Sequence, residues 1–252
     1  MCFDLDSSPP IPSLAGAAVS RDALKLKASD GNTFRAFHAS PGERTGAAIV
    51  ILPDVRGLHH YYEELAVRFA EIGVEALAID YFGRTAGTGE RGDDFDYGPH
   101  VGQTTWAGLS ADIAAAAAHL RSGAEAPTRV FTIGFCMGGR VSFDSAALKL
   151  GLAGVIGFYG FPGGPARNDT PAPTDIVGEF ECPVLGIFGG ADAAIPIDVI
   201  GNFRNALGAA RIEHEIVVEP DAPHSFFDRK QSDFQVQSDD AWGRVTHFLR
   251  HH

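Results

Sequence analysis

Cys136 stands in Val130-Phe-Thr-Ile-Gly-Phe-Cys136-Met-Gly-Gly139, a β-rich run that ends in Gly-x-Cys-x-Gly-Gly and leads into a helix-forming segment. This is the pattern of a nucleophile elbow with cysteine where serine is usual. An elbow holds its central residue in a strained strand-to-helix turn, so the flanking positions must be small. Gly134 and Gly138 meet that need, and Gly139 gives the helix room to pack closely. The turn lifts the thiol above the sheet and aims a helix N-terminus at it, which favours thiolate over thiol. The stretch therefore predicts an activated sulfur nucleophile. Small residues around a buried cysteine also occur at ordinary strand-to-helix joins, so the rest of the chain must supply the partners.

Two partners follow in a telling order. Asp192 closes Ile187-Phe-Gly-Gly-Ala-Asp192 just after an apolar run, and His224 lies in Glu219-Pro-Asp-Ala-Pro-His-Ser-Phe226 just after the last such run. Alone, each has an ordinary reading: an aspartate after Gly-Gly is often a turn or capping residue, and a loop histidine is often solvated or packed. Asp221 is a competing acid, but it stands in the same loop as His224. Taken together, nucleophile, acid and histidine come in the chain order of an α/β-hydrolase triad, each at a strand's carboxyl end, where open α/β sheets collect their chemistry.

The elements that must carry these residues are readable from periodicity. Ala23–Lys27 and Thr33–His38 alternate around Asp30-Gly31-Asn32 and predict an edge β-hairpin. Ala47–Leu52, Val74–Ile79, Arg129–Ile133, Ala153–Phe158, Val184–Phe188 and Glu213–Val218 read as further strands, several apolar on both faces. Helices are predicted at Tyr61–Ile72, Thr104–Leu120, Met137–Leu150, Ile197–Leu207 and Val236–Leu249. This β-α-β alternation predicts a mostly parallel central sheet with helices on both faces, and the triad order makes the expected version of it the α/β-hydrolase fold. Residues 1–252 read as a single domain behind an extended, proline-stiffened lead-in over 1–20. Segments 81–103 and 159–182 lack periodicity, and loops of that length usually serve function. They are expected to rim the pocket, with Phe82, Phe95, Tyr97, Trp106, Tyr159 and Phe161 as candidate walls.

Composition narrows the function classes. The 252 residues are 45% hydrophobic, enough for a large core, and the net charge of −12 argues against nucleic acid and anionic membranes as partners. Three cysteines without a Cys-x-x-Cys pair predict neither a disulfide framework nor a zinc site. Met1–Asp6 is acidic and lacks the apolar core of a signal peptide, and no apolar run approaches a bilayer span, so a cytoplasmic protein is expected. No metal or other cofactor is called for, since adjacent His59 and His60 would not share a helix face. Oligomeric state is left open, a monomer being sufficient for the chemistry.

On Gly-Phe-Cys136-Met-Gly-Gly, Gly-Gly-Ala-Asp192, Pro-His224-Ser-Phe, Pro-Asp54-Val-Arg-Gly57 and Asp80-Tyr-Phe-Gly-Arg84, the chain resembles the dienelactone hydrolase family, a cysteine branch of the α/β-hydrolase superfamily. The resemblance covers roughly residues 20 to 250. It implies Cys136 as nucleophile, His224 as base and proton shuttle, and Asp192 as orienter of the imidazole. It also implies an oxyanion hole from the backbone N–H groups of Met137 and Val55. The chain departs from the family at two positions. Where well-known members carry a glutamate against the resting thiol, this chain has Asp54, one methylene shorter, as the candidate gate of the nucleophile. Arg84 matches the first of two substrate-carboxylate arginines, but the second position, four past the histidine, is Asp228, followed by Arg229.

The resemblance thus implies a carboxylic ester hydrolase acting on a small-molecule ester or enol-lactone through a thioester, of carboxymethylenebutenolidase type. A thiolate suits good leaving groups, which favours enol-lactones and activated esters over peptides. Three other readings use the same residues: a general carboxylesterase or thioesterase, a redox-sensing thiol at Cys136, and a silent binding protein. Dependence on His224 separates the first two, since hydrolysis needs a base and oxidation of a thiolate needs it much less.

Overall fold

Strands that are apolar on both faces demand cover on both sides, and that demand organises the molecule. The computed structural model describes residues 3–252 apart from Asp93, Gly123 and Ala124, so the expectations for Met1 and Cys2 lie outside the described residues. Eight strands form one mixed sheet: β1 (Val19–Lys27), β2 (Thr33–Pro41), β3 (Ala47–Leu52), β4 (Glu75–Ile79), β5 (Arg129–Phe135), β6 (Gly154–Phe158), β7 (Val184–Gly189) and β8 (His214–Glu219). Their spatial order is β1-β2-β4-β3-β5-β6-β7-β8. β1, β2 and β4 pair antiparallel, and every pairing from β4 through β3 to β8 is parallel. The predicted α/β-hydrolase sheet is thus present, with its hairpin at the edge.

Eight helices accompany it among the described residues: α1 (His60–Glu71), α2 (Gly83–Ala86), α3 (Gly98–Val101), α4 (Trp106–Leu120), α5 (Met137–Ser145), α6 (Pro173–Ile176), α7 (Ile197–Ala209) and α8 (Gln235–His251). The pleat of β3 divides the core. Ile49 and Ile51 pack in a cluster with Tyr61, Leu65 and Phe69 of α1. Val50 and Leu52 pack in another with Leu109, Ile113 and Leu120 of α4.

Three boundaries differ from expectation for physical reasons. The hairpin begins at Val19 rather than Ala23, because the ladder continues until Val19 faces Pro41. α5 stops at Ser145 rather than Leu150: Ala146, Ala147 and Leu148 each donate to the carbonyl three residues back, and Lys149 takes a left-handed φ of 55°. Segment 81–103, expected to be irregular, contains α2 and α3.

The lead-in is not a detached arm. Phe3 is 2% exposed, its ring stacked on Tyr61 at 3.9 Å between centroids, and Ile11 is also buried. Ser7 Oγ donates to Asp228 at 2.7 Å, and the Ser8 N–H reaches the other carboxylate oxygen at 3.3 Å. Phe3 and Ile11, together with buried Pro9 and Pro10, dock it on the core.

α5 also buries polar groups. Thr132 of β5 bonds Ser142 and Ser145 at 2.8 and 2.9 Å. Asp144 is fully buried, and burial pushes its carboxyl up to about 8 against the opposing pull of Arg140. The folded protein therefore keeps the Asp144 proton at pH values where the unfolded chain, with an ordinary carboxyl, has released it. Stability from this residue is full below about pH 4, falls as pH rises towards 8 and then levels off. Asp144→Asn removes the titration. We expect its stability relative to wild type to grow by about 1 kcal/mol per pH unit between pH 5 and 7, measured by urea unfolding across that range. An unchanged difference across that range would show that the carboxyl is ionised in the fold.

Candidate active site

The elbow is built as its glycines require. Cys136 has φ 55° and ψ −114°, a conformation L-residues seldom adopt. A Cβ on Gly134 would lie 1.9 Å from the Gly138 carbonyl oxygen, and one on Gly138 would lie 2.1 Å from that of Leu52. Neither neighbour can yield, because both are backbone. Cys136 anchors to the sheet through its N–H, donated to the Phe158 carbonyl at 3.0 Å, and α5 starts at the next residue. Two other non-glycine residues with positive φ lie beside it in the site: Tyr159 after β6 (37°) and Ser225 next to His224 (59°). Strain of this kind gathers at functional sites because only a fixed surround sustains it.

Asp192 and His224 meet although they stand 32 residues apart with β8 between them. His224 Nδ1 and Asp192 Oδ2 are 2.6 Å apart. Burial opposes the Asp192 charge, but the hydrogen bond from His224 holds its pKa below the usual carboxylate range. An ionised carboxylate can only accept, so Nδ1 carries the proton and Nε2 is left as the basic nitrogen. The other Asp192 oxygen accepts the Ala194 N–H at 2.9 Å, which fixes the carboxylate from behind. The His224 ring also leans on Tyr159, with centroids 5.0 Å apart.

The loop after β3 supplies a second carboxylate. Asp54 is 1% exposed; its Oδ1 accepts the Arg56 N–H at 2.8 Å, and its own N–H donates to the Tyr62 hydroxyl at 2.9 Å. Tyr62 and Tyr81 have pKa values raised well above normal by burial and then by the Asp54 charge, so both stay neutral. The charge of Cys136 adds to the rise at Tyr81, placing thiol and carboxylate in one electrostatic neighbourhood. His59, next to this loop, is held neutral by burial at about 4 and packs on Tyr62, whereas His60 turns to Glu64 at 3.2 Å.

A cavity of about 560 Å³ opens onto these groups, and Val55, Cys136, Met137 and His224 all line it. Of the expected aromatic walls, Tyr97, Tyr159 and Phe161 face it; Phe82, Phe95 and Trp106 do not. Both irregular segments contribute, the first through Tyr97 and Val101, the second through residues from Tyr159 to Thr170.

The cations are arranged differently from expectation. Arg84 is not in the cavity wall: its guanidinium is held by Asp30 at 2.7 Å and by buried Asp112 at 3.0 Å. Asp80 takes Arg91 as its partner instead. Asp228 does not face the cavity either; its carboxylate holds the lead-in and borders a separate hollow behind His224. Sequence reasoning passed over Arg56, Arg140 and Arg167, all of which line the cavity. Arg140 is occupied, donating to the carbonyls of Phe161, Gly163, Gly164, Thr170 and Pro171 and so fastening the second segment. Arg56 was findable, since it follows Val55 in the quoted motif.

The second cysteine is of another kind. Cys182 is buried, and burial pushes its thiol up to about 12, so it stays protonated. Among the described residues no group of His, Cys, Asp and Glu is placed to hold a metal ion, and no helix is long and apolar enough to cross a membrane.

Residues 34–252 match the model of the dienelactone hydrolase family. A candidate carboxymethylenebutenolidase of Escherichia coli O157:H7 is 30% identical over 235 residues, spanning 88% of this chain and 84% of its own length. Another, of Salmonella typhimurium, is 31% identical over 231 residues, spanning 86% and 82%. Among solved structures, a candidate dienelactone hydrolase from Klebsiella pneumoniae superposes with a TM-score of 0.81 at 28% identity, covering 93% of this chain and 100% of that one. An esterase of Pyrococcus furiosus shares the fold with a TM-score of 0.68 at 15% identity, covering 95% and 98%.

Proposed function

We propose, for a chain that belongs to the dienelactone hydrolase family of esterase-type hydrolases, that Cys136, His224 and Asp192 form a catalytic triad. The triad cleaves an ester or enol-lactone through a thioester. The observation that carries this reading is the His224–Asp192 hydrogen bond of 2.6 Å, made by a histidine that lines the same cavity as the strained Cys136.

His224 Nε2 takes the Cys136 proton, and the thiolate adds to the substrate carbonyl carbon. The backbone N–H groups of Met137 and Val55 receive the oxyanion. Collapse of the tetrahedral adduct breaks the acyl–oxygen bond, and the imidazolium returns the proton to the departing alkoxide or enolate. For a lactone that group stays tethered at the far end of the acyl chain. Water then loses a proton to His224 as its oxygen adds to the thioester carbonyl, and collapse releases the acid and the Cys136 thiol. Asp192 stays ionised throughout and stabilises the imidazolium between these transfers. Asp54, buried in the turn after β3, is proposed as the gate of the nucleophile, a carboxylate able to take up the thiol proton as substrate binds. Arg84, held by two aspartates outside the cavity, has no part in this scheme.

The reaction requires no cofactor. A net charge of −12 suits a free cytoplasmic enzyme with small-molecule substrates better than a partner of nucleic acid or anionic membrane. A redox-sensing thiol would depend much less on the His224–Asp192 pair, which favours hydrolysis. The intermediate supplies the test. Samples turning over p-nitrophenyl acetate, quenched in acid and digested, should carry an acetyl group on the Cys136 peptide that neutral hydroxylamine removes. An acetyl group on another residue would refute the assignment of Cys136.

A further inference from the structure

The cavity wall contributed by Tyr97 and Val101 lies at α3, a helix of a single turn that is too short to hold itself, so contacts from elsewhere must fix it in place. Asp80 and Arg91 are positioned to do so. Asp80 follows β4 and is fully buried. Its two oxygens accept Arg91 Nη1 and Nη2 at 2.7 and 2.8 Å, the parallel fork that gives arginine–carboxylate pairs their directional strength. Arg91 Nη2 also donates to the Gly87 carbonyl at 3.0 Å. Its guanidinium lies 4.9 Å from the centre of the Phe95 ring and 5.5 Å from that of Phe82. Phe95 in turn stacks on His100 at 5.0 Å, so the rings run from the arginine to the residue next to Val101.

The same carboxylate also borders the turn after β3, which lines the cavity through Val55 and Arg56. Asp80 Oδ1 accepts the Leu58 N–H at 3.4 Å, and it sits so close to Gly57 that a Cβ there would come within 2.8 Å. Gly57 and Leu58 close the turn that carries Asp54, Val55 and Arg56. Between the two walls, the Arg56 guanidinium lies 5.8 Å from the Tyr97 ring centre. One buried carboxylate therefore ties the turn bearing Val55 to the segment bearing Tyr97.

Resting on the hydrolase reading above, we propose that Arg91 is a positioning residue for substrate selection. Through its fork to Asp80 it sets the distance of Tyr97 and Val101 from the reacting groups, and so the room given to the acyl chain. It touches no reacting atom. Its loss should loosen binding of substrates long enough to reach that wall and leave the chemical step alone.

The test compares p-nitrophenyl acetate, whose small acyl group asks for the least room, with p-nitrophenyl hexanoate, which shares its leaving group and carries a longer acyl chain. Arg91→Lys keeps a positive charge and loses the fork. The expected result is a KM for hexanoate raised about fivefold, with kcat and both acetate constants within about twofold of wild type. In a Tyr97→Ala background the same substitution should change the hexanoate KM less than about twofold, because the wall it positions is gone. Unchanged hexanoate KM in Arg91→Lys, or an equal loss of kcat on both esters, overturns the inference. Should Arg91→Lys fail to fold, Tyr97→Ala decides alone: a hexanoate KM equal to wild type also overturns it. A wild-type protein inert towards both esters would instead refute the hydrolase reading, so the two failures are distinct.

Discussion

Cys136→Ala is expected to lower kcat/KM for p-nitrophenyl acetate and for a cis-dienelactone by about 10⁴-fold or more. Alanine is smaller than cysteine, and the strained backbone at φ 55° is maintained by Gly134, Gly138 and the bond to Phe158 rather than by the sulfur, so the fold should survive. Members of a triad act as one unit, hence Cys136→Ala with His224→Ala should be little worse than the single substitution. Steady-state assays on the two substrates separate the possibilities. Turnover of both, lost in the mutant, supports the lactonase reading. Ester turnover alone, still dependent on Cys136, leaves the mechanism standing and directs attention to another acyl substrate. A mutant as active as wild type removes sulfur from the reaction altogether.

Asp192→Asn should cost about 10³- to 10⁴-fold in kcat with the fold intact, and the reason is a tautomer. Asp192 Oδ1 accepts the Ala194 N–H, so an asparagine keeps its oxygen on that side and turns its NH₂ towards His224. An NH₂ group can only donate. Nδ1 must then be the unprotonated nitrogen, which moves the proton to Nε2 and leaves no base facing the thiol. Removal of the carboxylate also withdraws the charge that stabilises the imidazolium. The pH profile offers a second check. Because the His224 bond holds the Asp192 pKa below the usual carboxylate range, the carboxylate of the wild type should remain ionised throughout the acid limb. That limb should therefore carry no contribution from Asp192. A kcat for Asp192→Asn within tenfold of wild type would mean that Asp192 only anchors the loop.

These two predictions rest on residues legible in the sequence, and the Asp144 and Arg91 predictions do not. The difference lies in the range of the forces involved. An elbow is specified by local sterics: the glycines around Cys136 are needed wherever a strand turns sharply into a helix, so the pattern survives without knowledge of the fold. Buried strands such as Ala47–Leu52 declare themselves because both faces must be apolar. Since parallel strands place their carboxyl ends along one edge, the order Cys136, Asp192, His224 was enough to bring the three to one place.

Long side chains and buried carboxylates obey no such local rule. An arginine reaches several ångströms in any direction, so the family resemblance made Arg84 a candidate for a substrate carboxylate, while the fold gave Arg84 to Asp112 and Asp30 and Asp80 to Arg91. Asp228 read as a charge near the substrate until Ser7, over two hundred residues away, proved to be its partner. Asp144 looks like any helical aspartate until its burial is known. The sequence alone determined the candidate reacting groups and the sheet that carries them, because local conformation and hydrophobic periodicity are written residue by residue. Only the tertiary structure decided which charges are occupied, which walls enclose the cavity and what holds them there, because those depend on distances between segments that the chain does not order.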